Sequence, residues 1–209
     1  MANRPLTDLT VAEFLARLAS GDPTPGGGAV AALAGALGAA LVSMVCNLTV
    51  GRERYAATDI ETRAILADAT ALLEALQAGV QRDASAYDTL MAAFRLPRGD
   101  DQEKAARSDA IQTATVGATI VPLELAEASA KVIDLAEQAI GKTNPNAASD
   151  LAVAALLGVA AVESATANVE INLRTLKDAS VTSDVSARLQ AARGGRDAQA
   201  RSVVERTQG

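Results

Sequence analysis

Pro23-Thr24-Pro25-Gly26-Gly27-Gly28 runs directly into Ala29-Val30-Ala31-Ala32-Leu33-Ala34-Gly35-Ala36-Leu37-Gly38-Ala39-Ala40-Leu41-Val42-Ser43-Met44-Val45-Cys46-Asn47-Leu48, and no Asp, Glu, Lys or Arg occurs from Pro23 to Val50. Proline fixes φ and glycine permits backbone shapes that other residues resist, so the first six residues read as a loop. Residues 29–48 read as an alanine- and leucine-rich helix without a polar face, which a soluble fold must bury on nearly all sides. Free N–H groups at the start of such a helix, opened by glycines, form a site for an anion or a dipole. The same loop also reads as a plain turn before a core helix.

The uncharged run exceeds the roughly 20 residues that a bilayer requires. Its alanine and glycine content, the polar Ser43, Asn47 and Thr49 near one end, and the absence of an aromatic belt favour a central bundle helix over a membrane span. The chain of 209 residues suffices for one domain, 1–209, with a sizeable core. Apolar residues make up 49% and aromatics only 2%, so that core is packed from Ala, Leu and Val. The net charge of −6 argues against nucleic acid or an anionic membrane as the main partner. The segment Met1-Ala2-Asn3-Arg4-Pro5 has no secretory character, and the single cysteine, Cys46, excludes an internal disulfide, so a cytoplasmic location is expected.

The sequence contains no histidine. That removes the commonest general base, the Ser-His and Cys-His nucleophile pairs, and the usual zinc sites. Any proton chemistry falls to Asp, Glu, Lys or Tyr, and no metal is expected.

Along the chain, the spacing predicts a short helix over Leu9 to Leu18, capped by Thr7 or Asp8, with Val11, Phe14, Leu15 and Leu18 on one face. The uncharged helix comes next, stopped by Gly51. A long helix is predicted from about Thr58 to Phe94, with Leu66, Leu73, Leu76, Val80, Tyr87, Leu90 and Phe94 forming a heptad seam. Asp83 occupies the seam position between Val80 and Tyr87. A carboxylate there must be paired, for instance with Arg82, or lie where the seam opens to solvent, or be buried with a raised pKa suited to proton transfer. Asp101 begins a further helix that Pro122 is expected to interrupt or kink, with the pattern resuming from Leu123 to Ile140. The loop Gly141-Lys142-Thr143-Asn144-Pro145-Asn146 precedes a small-residue helix from Asp150, capped by Ser149 or Asp150. On it the stripe Ala154, Gly158, Ala161, Ala165 continues into Asn168 and Asn172, two amides that either bond a partner helix or point at a ligand. From about residue 178 a polar, Arg-rich segment reads as a peripheral helix broken at Gly194-Gly195. With no convincing strand, the fold class is all-α: a bundle of about five or six helices around the Ala/Gly-rich one.

The glycine loop with Met44-Val45-Cys46-Asn47-Leu48-Thr49-Val50-Gly51, then Leu96-Pro97, Val121-Pro122-Leu123, Asn144-x-Asn146-x-x-Ser149-Asp150 and Asn168-Val169-x-Ile171-Asn172-Leu173, resembles the cyclodeaminase/cyclohydrolase family of folate enzymes. The resemblance spans roughly Phe14 to Arg174. It implies an all-helical cytoplasmic homodimer acting on a one-carbon tetrahydrofolate derivative, with no cofactor beyond that folate substrate. The family's catalytic aspartate stretch, Asp-Ala-x-Ala-aromatic, corresponds to Asp83-Ala84-Ser85-Ala86-Tyr87, which makes Asp83 the candidate acid–base group. Pro25, Gly26, Gly27, Gly28, Asn47, Arg52, Tyr55, Asn144, Asn146, Asp150, Asn168 and Asn172 are the candidate substrate-binding residues. The expected reaction is hydrolysis of the methenyl bridge to the 10-formyl derivative, because the sequence carries no transferase domain. Ammonia-releasing ring closure on the formimidoyl compound is the second reading, and a non-catalytic helical dimerisation module the third.

Overall fold

The uncharged helix is the axis about which the other long helices pack in the computed structural model, which describes residues 4–208. Chain order gives α1 (Val11–Leu18), α2 (Gly27–Asn47), α3 (Asp59–Phe94), α4 (Asp101–Ala139), α5 (Ala148–Leu173), α6 (Ala179–Arg193) and α7 (Arg196–Gln208). Short 3-10 turns lie at Leu6–Asp8, Glu53–Thr58 and Pro145–Ala147, and the described residues contain no strand. The all-α class and the central position of the Ala/Gly-rich helix are as the sequence implied.

Close approach of backbones explains the small residues. A Cβ built on Gly38 would lie 3.0 Å from the Ala154 carbonyl of α5, and one on Gly158 would lie 2.6 Å from Ile133 of α4. A Cβ on Gly35 would meet Ser129 Oγ at 2.6 Å. Three helices thus meet where none has a side chain to spare, and Val42, Val45, Leu76, Leu123, Ile133 and Leu151 fill the remaining space. Cys46 is sealed inside, and burial pushes its thiol up to about 11.

Several expectations are corrected. The first helix begins at Val11, not Leu9, because Thr10 rather than Thr7 or Asp8 closes a capping box with Glu13. Of its proposed face only Phe14 is buried, and Val11 stays 78% exposed. The central helix is not covered on all sides: Leu37, Met44 and Leu48 face outward, Leu37 being 51% exposed. Neither Ser149 nor Asp150 caps α5; both lie within its first turn, and the Asn144 side chain caps the preceding 3-10 turn instead. The helix around Pro122 does not break. It runs unbroken through Asp101–Ala139, since the carbonyl that Pro122 cannot serve, that of Ala118, accepts a bond from Asn172 Nδ2 at 2.7 Å.

The chain does turn at Gly194-Gly195, where Gly195 adopts φ +75°. The two helices flanking that turn are polar outside but bury Val185, Leu189, Ala200 and Val203 against α4 and α5. Their arginines reach acidic partners on those helices: Arg188 grips Glu127 with two bonds of 2.9 and 3.0 Å, Arg193 meets Glu163, and Arg196 meets Asp134.

Candidate active site

Where α2 begins, α3 and parts of α4 and α5 enclose a cavity of about 290 Å³. Its lining includes Gly26, Gly27, Gly28, Asp83, Tyr87, Ala118, Asn168 and Asn172. Among the described residues, Asp83 is the one charged residue on that lining.

The seam of α3 explains why the carboxylate stands there. Leu76, Val80 and Ala84 are buried against the bundle, but Tyr87 and Phe94 are not, so the seam opens beyond Ala84. Asp83 lies at that transition. Arg82, the cation beside it in sequence, turns away to pair with Glu124 of α4. Burial raises the Asp83 pKa from its ordinary value, and a hydrogen bond donated by the Ala29 backbone N–H opposes the shift without cancelling it. The first turn of α2 therefore holds the carboxylate by a free N–H, as helix N-termini hold anions.

Glycine is required at position 28 by contact rather than by conformation. A Cβ there would fall on the Asp83 carboxyl group, whose farther oxygen lies only 2.7 Å away. Gly27 has more room, with Asn168 Nδ2 at 3.5 Å from its notional Cβ. Asn168 donates to the Ser164 carbonyl at 2.8 Å, as Asn172 does to Ala118. Pro25 is buried beside the turn but does not line the cavity.

The remaining candidates stand at the other end of α2, on the order of 30 Å away along its 21 residues. Asn47 is exposed at the helix end, and Arg52 Nε donates to the Leu48 carbonyl at 2.9 Å. Asn144 Oδ1 accepts from Tyr55 Oη at 3.1 Å, Arg54 at 3.3 Å and the Asn146 N–H at 3.1 Å. Asp150 sits in the first turn of α5 nearby. Arg54, Tyr55, Lys142, Asn144 and Arg206 border a second cavity of about 610 Å³. Within the chain, then, Gly26, Gly27, Gly28, Asp83, Asn168 and Asn172 come together, and Asn47, Arg52, Tyr55, Asn144, Asn146 and Asp150 do not join them. The sequence does not mark Ala118 or Tyr87 as cavity residues; a backbone carbonyl freed by a proline one turn away leaves no sign in a residue pattern. Among the described residues no three His, Cys, Asp or Glu side chains are grouped as a metal ion would need.

A half-buried carboxylate without a cationic partner among the described residues, set against a glycine-opened helix start in an all-α bundle, defines a class of site suited to acid–base work on a small ligand that is cationic or rich in hydrogen-bond donors. The formiminotransferase-cyclodeaminase family matches residues 10–191. A methenyltetrahydrofolate cyclohydrolase of Methylorubrum extorquens is 45% identical over 169 residues, 81% of each chain. The formimidoyltransferase-cyclodeaminase of Rattus norvegicus is 34% identical over 173 residues, which are 83% of this chain and 32% of that protein. A crystal structure described as formiminotetrahydrofolate cyclodeaminase of Thermotoga maritima superposes with a TM-score of 0.80 at 27% identity, covering 96% of this chain and 94% of the other. The chain belongs to the formiminotransferase-cyclodeaminase family.

Proposed function

We propose that this chain is a methenyltetrahydrofolate cyclohydrolase, an enzyme that hydrolyses 5,10-methenyltetrahydrofolate to 10-formyltetrahydrofolate. The observation that carries the reading is Asp83: a partly desolvated carboxylate that, among the described residues, has no cationic partner and is the one charged residue lining its cavity. The 45% identical relative bearing that activity's name supports the choice of substrate.

In the substrate the one-carbon unit is a cationic amidinium bridge between two nitrogens, and a carboxylate attracts it before reaction. Ionised Asp83 takes a proton from a water molecule as the oxygen attacks the bridge carbon. Protonated Asp83 then returns that proton to the pteridine-ring nitrogen as its bond to the carbon breaks, and the new hydroxyl loses its proton to solvent, leaving the formyl group on the other nitrogen. One water is consumed and one proton is released overall. A carboxyl group with a raised pKa serves both directions of transfer better than an ordinary aspartate. The reading invokes no metal and no cofactor besides the folate itself. Gly26, Gly27 and Gly28 leave the helix start bare for close approach, and Asn168 and Asn172 bond the ring system.

The cavity is small for a whole folate, and half of the candidate binding residues lie at the far end of α2. A homodimer reconciles the two facts. The outward face of α2 is uncharged and carries Leu37, Met44 and Leu48. A second copy laid antiparallel along that face would bring its Arg52, Tyr55 and Asn144 to the Asp83 cavity, with Arg54 and Lys142 available to the carboxylates of the folate tail. A folate enzyme of this kind, acidic and with one sealed thiol, works in the cytoplasm without nucleic acid or membrane as partner. Two helices, Gly27–Asn47 and Pro145–Leu173, are long and apolar enough to cross a membrane by length and composition, but each supplies buried core residues to the bundle.

The superposition on a structure described as a cyclodeaminase favours one second reading, ring closure of the formimidoyl compound with Asp83 protonating the departing ammonia. Loss of methenyl absorbance on adding purified protein supports the cyclohydrolase. Ammonia release from the formimidoyl compound without that loss supports the alternative, and the absence of both signals would refute both.

A further inference from the structure

Pro122 is buried in α4, four residues after Ala118, whose carbonyl an ordinary residue at position 122 would satisfy. Ala118 lines the Asp83 cavity, and its carbonyl takes its bond instead from Asn172 Nδ2, 2.7 Å away on α5. Only the NH₂ end of an amide can donate to a carbonyl, so the bond fixes which way the side chain is turned. One hydrogen of the NH₂ group is spent in this way, while Oδ1, an acceptor, takes no hydrogen bond from the described residues. Asn168 makes a bond of the same kind, one Nδ2 hydrogen going to the Ser164 carbonyl at 2.8 Å. With the Asp83 carboxylate, the cavity lining thus holds three side chains that each carry an oxygen able to accept.

We propose that Pro122 is a positioning residue: by withholding an N–H from Ala118 it recruits the Asn172 amide, turns its oxygen towards the cavity, and so selects a ligand edge that donates hydrogen bonds. The inference rests on the folate reading for its ligand, since the aminopyrimidinone ring and ring N–H groups of a reduced pterin are donors of that kind. It does not rest on it for the geometry. In Pro122→Ala the restored N–H competes for the Ala118 carbonyl, and the Asn172 amide loses its fixed orientation.

Two measurements on the full chain test this. In protein labelled with ¹⁵N-asparagine, the Asn172 side-chain protons, assigned by their absence in Asn172→Ala, are expected to exchange slowly with solvent in the parent and at least about tenfold faster in Pro122→Ala. In steady-state assays with 5,10-methenyltetrahydrofolate, Pro122→Ala is expected to raise KM about five- to tenfold with kcat changed less than about threefold, the loss of one oriented hydrogen bond. Placed on Asn172→Ala, it should change KM no further, because both act through one amide. A merely structural proline predicts a different outcome: a more stable Pro122→Ala protein with unchanged KM. Unchanged exchange at Asn172, or effects of the two substitutions that multiply, would overturn the proposal. A parent protein inert towards the methenyl compound but showing the exchange difference would overturn the folate reading and support the positioning role.

Discussion

Asp83 owes its chemistry to Gly28. The carboxyl group occupies the space where any other residue at position 28 would place its Cβ, and the next N–H along, that of Ala29, holds it. Gly28→Ala should therefore leave the helical content intact while displacing the carboxyl group, and a displacement of about 1 Å costs on the order of 100-fold in turnover; circular dichroism beside the methenyl assay separates the two effects. The raised pKa has a stability consequence whose sign is fixed. The folded state binds the Asp83 proton more tightly than the unfolded chain, so this group favours folding below its unfolded pKa, and that contribution is lost as pH rises through the folded value. Asp83→Asn removes the ionised, desolvated group, so the variant should melt higher than the parent at neutral pH, with the difference vanishing in acid. Asp83 is legible in the sequence because it interrupts an apolar seam. Gly28 is legible only as one of three glycines, since what distinguishes it is a contact with a residue of another helix. The bond from Asn172 to Ala118 is not legible at all, because its cause, Pro122, reads locally as a helix breaker.

At the scale of elements, periodicity locates the long helices but not everything that covers them. The stripe Ala154, Gly158, Ala161, Ala165 is buried as its spacing implies, and a Cβ on Gly158 would lie 2.6 Å from Ile133. Gly158→Val should destabilise by about 1–3 kcal/mol, since overpacking against Ile133 and the Ser129 carbonyl outweighs a helix-propensity gain of under about 1 kcal/mol. Urea unfolding should show a lower midpoint with an unchanged slope. The C-terminal helices look peripheral in sequence because their arginines dominate the composition. Those arginines find Glu127, Asp134, Glu137 and Glu163 on α4 and α5, pairings that no local pattern announces. The open face of α2 departs from expectation for a related reason: an uncharged helix states that it needs cover, not whether its own chain supplies it.

For the whole molecule, that open face carries the prediction. If a second copy covers Leu37, Met44 and Leu48, then Leu37→Glu buries a charge in the interface and should turn a dimer into a monomer, with turnover falling at least about tenfold because the far-end residues no longer reach the cavity. Sedimentation equilibrium decides the assembly state, and a fully active parent monomer would count against a site assembled from two subunits. The resemblance that pointed to folate chemistry was carried by short motifs at both ends of the bundle. The glycine loop, the Asp83 stretch and the Asn168–Asn172 motif converge on one cavity, whereas the Asn144–Asp150 motif meets it only across the proposed dimer.

The most direct test compares the parent and Asp83→Asn by following loss of methenyl absorbance from 5,10-methenyltetrahydrofolate at neutral pH. The parent is predicted to turn over, and the variant, equally folded, to lose turnover by at least about 100-fold. Near-normal turnover in Asp83→Asn would contradict the assignment of the acid–base role to this carboxylate.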